Sequence, residues 1–333
     1  MYAKAFSRSG TIFLFGLVMW VTVLMVLSGC ASGTRHSKAE IEYGNPFIDH
    51  VKNLPINKIS PESVGIPGTP ALPEMNSTDY ERLGDALLDR GEFYTAYLQY
   101  QRALNLNPES PRLSYKTGLT FLAAGKYKDA VKEFQKALVH DDAYALAYEG
   151  LGEAHFQMKN FKEGETCFRK ALELDHGLWK SHSFMGNILD YNGQHGQAAS
   201  EYQSAISIRP DKAYLYNNLG VCCNLNREFE NAVLAFQMAL KAGYRTNKIY
   251  NNLGLALANL GQYPAALDAF QKGGTAAQAY NNLGCIYMQQ GNRGKASKCF
   301  QKAIEIDPIF YVKAGDNLKK SQSNPIDLNL KNF

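Results

Sequence analysis

Six cysteines, seven histidines and 31 acidic residues are this chain's stock of groups for covalent, metal or proton-transfer chemistry. Their spacing removes most of that chemistry. No C-x-x-C and no H-E-x-x-H occurs, so dithiol redox and metal sites have no support. Cys167, Cys222, Cys223, Cys285 and Cys299 fall within helical patterns, where free cysteine serves as a small apolar residue. His155, His182 and His195 sit at packing positions and read as core substitutes, not bases or ligands. No catalytic residue, metal ligand or cofactor is assigned. Two patterns remain. Cys30 directly follows Leu27-Ser28-Gly29 at the end of an apolar run, where a thiol can carry a lipid. Asparagines recur in pairs at Asn217-Asn218, Asn251-Asn252 and Asn281-Asn282. A carboxamide has both donors and an acceptor, so it can match the N–H and C=O of a peptide group.

The element that presents Cys30 is the N-terminal segment. Lys4 and Arg8 precede an apolar stretch from Thr11 to Leu27. Its length lies just past a signal-peptide core and at the lower edge of a spanning helix. An uncleaved anchor has no need of a cysteine after two small residues. Leu27-Ser28-Gly29-Cys30 resembles a bacterial lipobox, which implies a lipoprotein signal peptide over 1–29 and three acyl chains on Cys30. Three chains hold a membrane far more firmly than one myristoyl group. Ala31 and Ser32 lack the aspartate that retains lipoproteins at the inner membrane, so the resemblance implies a lipid-anchored protein of the outer membrane facing the periplasm. Residues 30–76 read as a linker, since six of the chain's twelve prolines lie in it. As a flexible coil it spans roughly 35–40 Å. The 35 basic residues are interspersed with the acidic ones and form no block, which argues against a nucleic-acid partner.

The asparagine pairs are placed by a period. From Ser77 the sequence repeats every 34 residues, with Gly84, Gly118, Gly152, Gly186, Gly220, Gly254 and Gly284 all at position 8 of a unit. Position 20 is small (Ala96, Ala130, Gly164, Ala198, Ala232, Ala266, Ala296), and position 24 is aromatic from Tyr100 to Phe300. The pattern matches that of tetratricopeptide repeats. It predicts an all-α, right-handed superhelical solenoid of seven repeats over 77–110, 111–144, 145–178, 179–212, 213–246, 247–276 and 277–310. A capping helix over 311–321 and a tail over 322–333 follow. Positions 4, 7, 8 and 11 share one face of the first helix and bury against the second. Small residues at 8 and 20 let the two backbones approach, and the aromatic at 24 is expected to fill the wider gap to the neighbouring repeat. Gly91, Gly125, Gly193, Gly261 and Gly291 at position 15 suit the left-handed residue that ends a helix.

The sixth repeat is four residues short, about one helical turn, after Gly273-Gly274. The run through Tyr250-Asn251-Asn252-Leu253-Gly254, the shortened repeat, and the later Ala279-Tyr280-Asn281-Asn282-Leu283-Gly284 and Ala314-Gly315-Asp316-Asn317-Leu318 resemble the TadD lipoproteins of the Tad (Flp) type IV pilus assembly system. The resemblance implies a non-catalytic scaffold that helps localise or assemble the secretin, with the secretin or other pilus assembly components as protein partners. The competing expectation is a general periplasmic adaptor that recruits proteases or cell-wall enzymes. Little chain is left outside the repeats and linker for a catalytic domain. Positions 2, 5, 6, 9 and 13 of each first helix are expected to line the binding surface. Asn218, Asn252 and Asn282 at position 6, with Asn217, Asn251 and Asn281 beside them, then form a ladder for an extended segment. Arg82 and Lys116 take position 6 in the first two repeats, which places the main contact in the C-terminal half.

Overall fold

The computed structural model describes residues 75–322, which form fifteen α-helices and one short 3-10 turn, with no strand among the described residues. The expected signal segment, Cys30, the linker and the tail beyond Gln322 lie outside these residues. The chain divides into two compact units, one ending at Pro210 and one beginning at Asp211.

In the first unit the helices run in pairs: α1 (Ser77–Asp89) with α2 (Phe93–Leu106), α3 (Pro111–Ala123) with α4 (Tyr127–His140), α5 (Ala145–Gln157) with α6 (Phe161–Leu174), and α7 (Trp179–Tyr191) with α8 (His195–Ile208). The second unit has α9 (Ala213–Leu225) with α10 (Phe229–Lys241), α11 (Asn247–Asn259) with α12 (Tyr263–Lys272), and α13 (Ala276–Gln289) with α14 (Arg293–Ile306). The turn at Pro308–Phe310 leads into α15 (Tyr311–Gln322). Neighbouring first helices also touch one another, α3 with α5 and α5 with α7, then α9 with α11 and α11 with α13. The first helices therefore form a continuous row within each unit.

Each first helix stops by the same device. The amide of Glu92 donates to the carbonyl of Leu87 at 2.9 Å and that of Gly91 to Leu88 at 2.9 Å, the two bonds of a Schellman motif. The residue at position 15 must then take a positive φ. Glycine does so in five repeats, but Lys159 and Arg227 adopt φ 64° in the other two. Helix starts are marked where the sequence supplies a cap. Asn76 and Thr275 make capping boxes with Asp79 and Gln278, Ser110 caps the helix that opens on Pro111, and Thr246 caps α11.

The core is built from a close approach. A Cβ added at Gly84 would lie 2.6 Å from the Tyr100 ring, and one at Gly118 would lie 2.6 Å from Phe134. The aromatic at position 24 thus lies first over the glycine of its own repeat, where the gap to the neighbour was the expectation. Phe134 reaches the next repeat as well, since a Cβ on Gly150 would meet it at 2.5 Å. Alanines flank each ring, with Ala96, Ala103, Ala130 and Ala137 fully buried. Removing such a ring costs about 3–5 kcal/mol. The last apolar face closes under α15, where Ala314 packs with Ala277 and Ala303.

The shortened repeat is a local rebuilding. α12 has 10 residues where the other second helices have 13 or 14. Gly273 replaces the alanine found at this position in the other repeats, and a Cβ there would lie 2.7 Å from Asn251 Oδ1 and 2.9 Å from the carbonyl of Asn247. The Asn251 amide donates to the Gly273 carbonyl at 3.2 Å, which satisfies a group freed by the early stop. The Thr275 capping box then starts α13 at once.

Candidate protein-binding groove

Position along the first helix decides which way a side chain faces. Position 5 meets the following repeat. Glu81 is buried and pairs with Arg112 at 2.7 Å and Lys116 at 2.6 Å. Glu149 is buried and accepts from the Ser181 amide at 3.1 Å and hydroxyl at 2.9 Å. Tyr115 sets its ring edge-on to Tyr144, the last residue of its own repeat, at 5.4 Å. Position 6 meets the preceding repeat. Lys116 binds Asp85 at 2.7 Å besides Glu81, and Phe184 stacks on Phe168 with centroids 5.1 Å apart. Burial opposes the charge on Lys116, yet its bonds to Asp85 and Glu81 leave its pKa raised.

The asparagine pairs occupy these same two positions. Asn251 is held by Gly273, as above. Asn281 is 1 % exposed and accepts from the Asn317 amide at 2.9 Å. Asn218 is buried and accepts from Asn217 at 3.2 Å. Asn252 and Asn282 are half-buried, and their amides make no hydrogen bond among the described residues. Of the six asparagines, these two are the ones whose side chains make no hydrogen bond among the described residues.

A cavity of about 240 Å³ opens in the first unit, and positions 2, 9 and 13 supply its polar lining. Leu88, Phe93, Leu119, Leu122 and Tyr127 form its apolar wall. Asp89 from α1, Glu153 and Gln157 from α5, and Lys180 from α7 complete it. Burial raises the pKa of Glu153, with Lys180 opposing and Glu149 adding to the shift. The expected binding surface of positions 2, 5, 6, 9 and 13 includes this lining, with Lys180 at position 2, Leu119 and Glu153 at 9, and Asp89, Ala123 and Gln157 at 13, although the main contact was expected in the C-terminal half. Its signal is a periodic one: Leu119 and Ala123 lie at positions 9 and 13 of one repeat, and Glu153 and Gln157 at the same positions of the next.

The remaining chemical candidates sit in the packing. His182 Nδ1 lies 2.7 Å from Glu201, and His195 Nδ1 lies 2.7 Å from Asp190. The His155 Nδ1 atom is buried without a hydrogen-bond partner. Cys167, Cys222, Cys223 and Cys299 are free thiols. Burial pushes Cys167, Cys223 and Cys299 up to about 11, which suppresses the thiolate needed for nucleophilic or ligand chemistry. Among the described residues no group of three His, Cys, Asp or Glu could hold a metal ion, and no helix is long and apolar enough to cross a membrane.

Comparison with known proteins agrees with the helix pairs. Family models described as tetratricopeptide repeat or TPR repeat match residues 84–159, 145–178, 185–280 and 277–310, together more than half of the chain. Tetratricopeptide repeat protein 37 of Xenopus laevis is 30% identical over 148 residues, 44% of this chain and 8% of that protein. DnaJ homolog subfamily C member 7 of Homo sapiens is 22% identical over 240 residues, 71% of this chain and 42% of that protein. The chain thus spans less than half the length of these curated relatives. A solved structure of the C-terminal part of a TPR repeat-containing protein from Cytophaga hutchinsonii aligns at TM-score 0.53 and 17% identity, covering 71% of this chain and 98% of that one.

Proposed function

The chain belongs to the tetratricopeptide repeat family, and on that premise we propose that it is a non-catalytic scaffold that holds protein partners at the outer membrane. In this reading Cys30 carries the lipid, the proline-rich linker reaches into the periplasm, and the repeats hold components of a Tad (Flp) pilus assembly, the secretin first among them. The observation that carries the scaffold reading is the groove at positions 9 and 13. Its Glu153 and Gln157 side chains make no hydrogen bond or ion pair among the described residues, so they are available to a partner. The lipobox at Leu27-Ser28-Gly29-Cys30 and the TadD-like C-terminal repeats support the finer assignment. Asn252 and Asn282 supply a second contact surface in the C-terminal repeats, with donors and acceptors for a partner backbone.

A photo-cross-linking residue at Gln157 tests this in cells that produce the full chain. The expected product joins the protein to the secretin or another pilus component, and its yield falls severalfold when Asn252 and Asn282 are both changed to alanine. Cross-links to proteases or cell-wall enzymes alone would replace the pilus assignment with the general adaptor. No cross-linked protein at all would remove the scaffold reading.

A further inference from the structure

The groove in the first unit holds two carboxylates that the fold itself does not use, the exposed Asp89 and the half-buried Glu153. Glu81 is neutralised by Arg112 and Lys116, Asp85 binds Lys116 and the Tyr100 hydroxyl, and Glu149 takes two bonds from Ser181. Glu153 lines the cavity and has neither a hydrogen bond nor an ion pair among the described residues. An acid is not required at its position, which is Leu119 and Asn187 in two other repeats of this unit, while Asp85 in the first is tied to Lys116 and Tyr100. Glu153 is half-buried, and a carboxylate so placed without a donor is improved by a ligand that brings a cation.

We propose that the cavity lined by α1, α3, α5 and α7 takes an extended protein segment bearing a lysine or arginine beside an apolar side chain, with the cation seated against Glu153. The proposal rests on the scaffold reading and names the chemistry of what that scaffold holds. The volume supports side chains over a cofactor, because about 240 Å³ lies below the roughly 300–1,000 Å³ of small-molecule pockets. Leu119, Leu122 and Tyr127 offer apolar surface to the methylene stem of a lysine and to the neighbouring apolar residue. Charge complementarity selects the sign. Asp89 and Lys180 are both exposed and share their charges with solvent, which leaves the half-buried Glu153 as the least screened charge of the lining. An acidic segment would meet both carboxylates and be repelled.

The test uses the purified full chain in detergent and three fluorescent peptides, Gly-Leu-X-Phe-Gly-Gly with X as lysine, norleucine or glutamate. The lysine peptide is expected to bind at least about tenfold more tightly than the glutamate peptide. Glu153→Gln is expected to lower lysine-peptide affinity about five- to tenfold, to the norleucine level, and to leave the norleucine peptide within about twofold. Lys180→Gln should tighten the lysine peptide. Acidification supplies a readout that needs no variant. The charged groups facing Glu153 are Lys180 from α7, Glu149 on α5 and Asp89 on α1, and burial raises the Glu153 pKa. Lysine-peptide binding should therefore weaken above the ordinary carboxylate range as pH falls, while norleucine binding stays flat. If Glu153→Gln fails to fold, that pH curve decides alone. Equal binding of the lysine and glutamate peptides, no binding of the lysine peptide, an unaffected Glu153→Gln variant or a flat pH curve each overturns the proposal. A persisting cross-link from Gln157 in that event would leave the scaffold standing and remove only the basic segment. Loss of the cross-link too would remove both.

Discussion

Two residues carry a conformation that their type resists. Lys159 and Arg227 sit at φ 64° where five other repeats have glycine. The left-handed region costs an L-residue roughly 1–2 kcal/mol, partly offset in a comparison with glycine by the greater chain entropy that glycine loses on folding. Lys159→Gly and Arg227→Gly are each expected to raise stability by up to about 1 kcal/mol, read as a higher urea midpoint at unchanged slope. A lower midpoint would mean that the exposed side chains hold the turn. The same position shows what a sequence discloses at this scale. Glycine at 91, 125, 193, 261 and 291 announces the turn by its type, whereas Lys159 and Arg227 are found only by counting from the start of the repeat.

At the scale of the element, the second helix of the sixth repeat ends early because Gly273, Asn251 and Thr275 act together. Inserting four helix-forming residues after Lys272 should separate the Gly273 carbonyl from the Asn251 amide and restack α13 and α14. Gly273→Ala tests the same junction with less change. Its methyl would collide with Asn251 and the Asn247 carbonyl, so it should cost about 1–3 kcal/mol in unfolding free energy. Neutral stability of Gly273→Ala would show that the junction relaxes without cost. The helix pairs themselves were legible in the sequence because one interface recurs seven times, and recurrence makes a weak pattern countable. The groove was less so. Successive helix residues turn by about 100°, so positions 5 and 6 face opposite neighbours while 9 in the second and third repeats, Leu119 and Glu153, faces the cavity. Counting identified the surface helix, and only the contacts of Glu81, Glu149, Lys116 and Phe184 separated seam from groove.

For the molecule as a whole, the expected attachment rests on Cys30, outside the described residues. Cys30→Ser should abolish acylation, seen as loss of the lipid mass by mass spectrometry, and should move the protein out of the membrane fraction. Full membrane association with an intact N-terminus would favour an uncleaved anchor. Partner capture and attachment are separable in this design. The serine variant should therefore keep the peptide-binding behaviour of the groove in solution while losing its place on the membrane.

The division of labour along the first helices also bears on descent. Positions 5 and 6 bind neighbouring repeats, so a change at one of them asks for a matching change 31 or 32 residues away, as between Glu81 and Arg112 or Glu149 and Ser181. Glu153 and Gln157 at positions 9 and 13 carry no such hydrogen bond or ion pair among the described residues. A lineage can rewrite those residues one at a time, and so trade one partner for another, without breaking the stack that presents them.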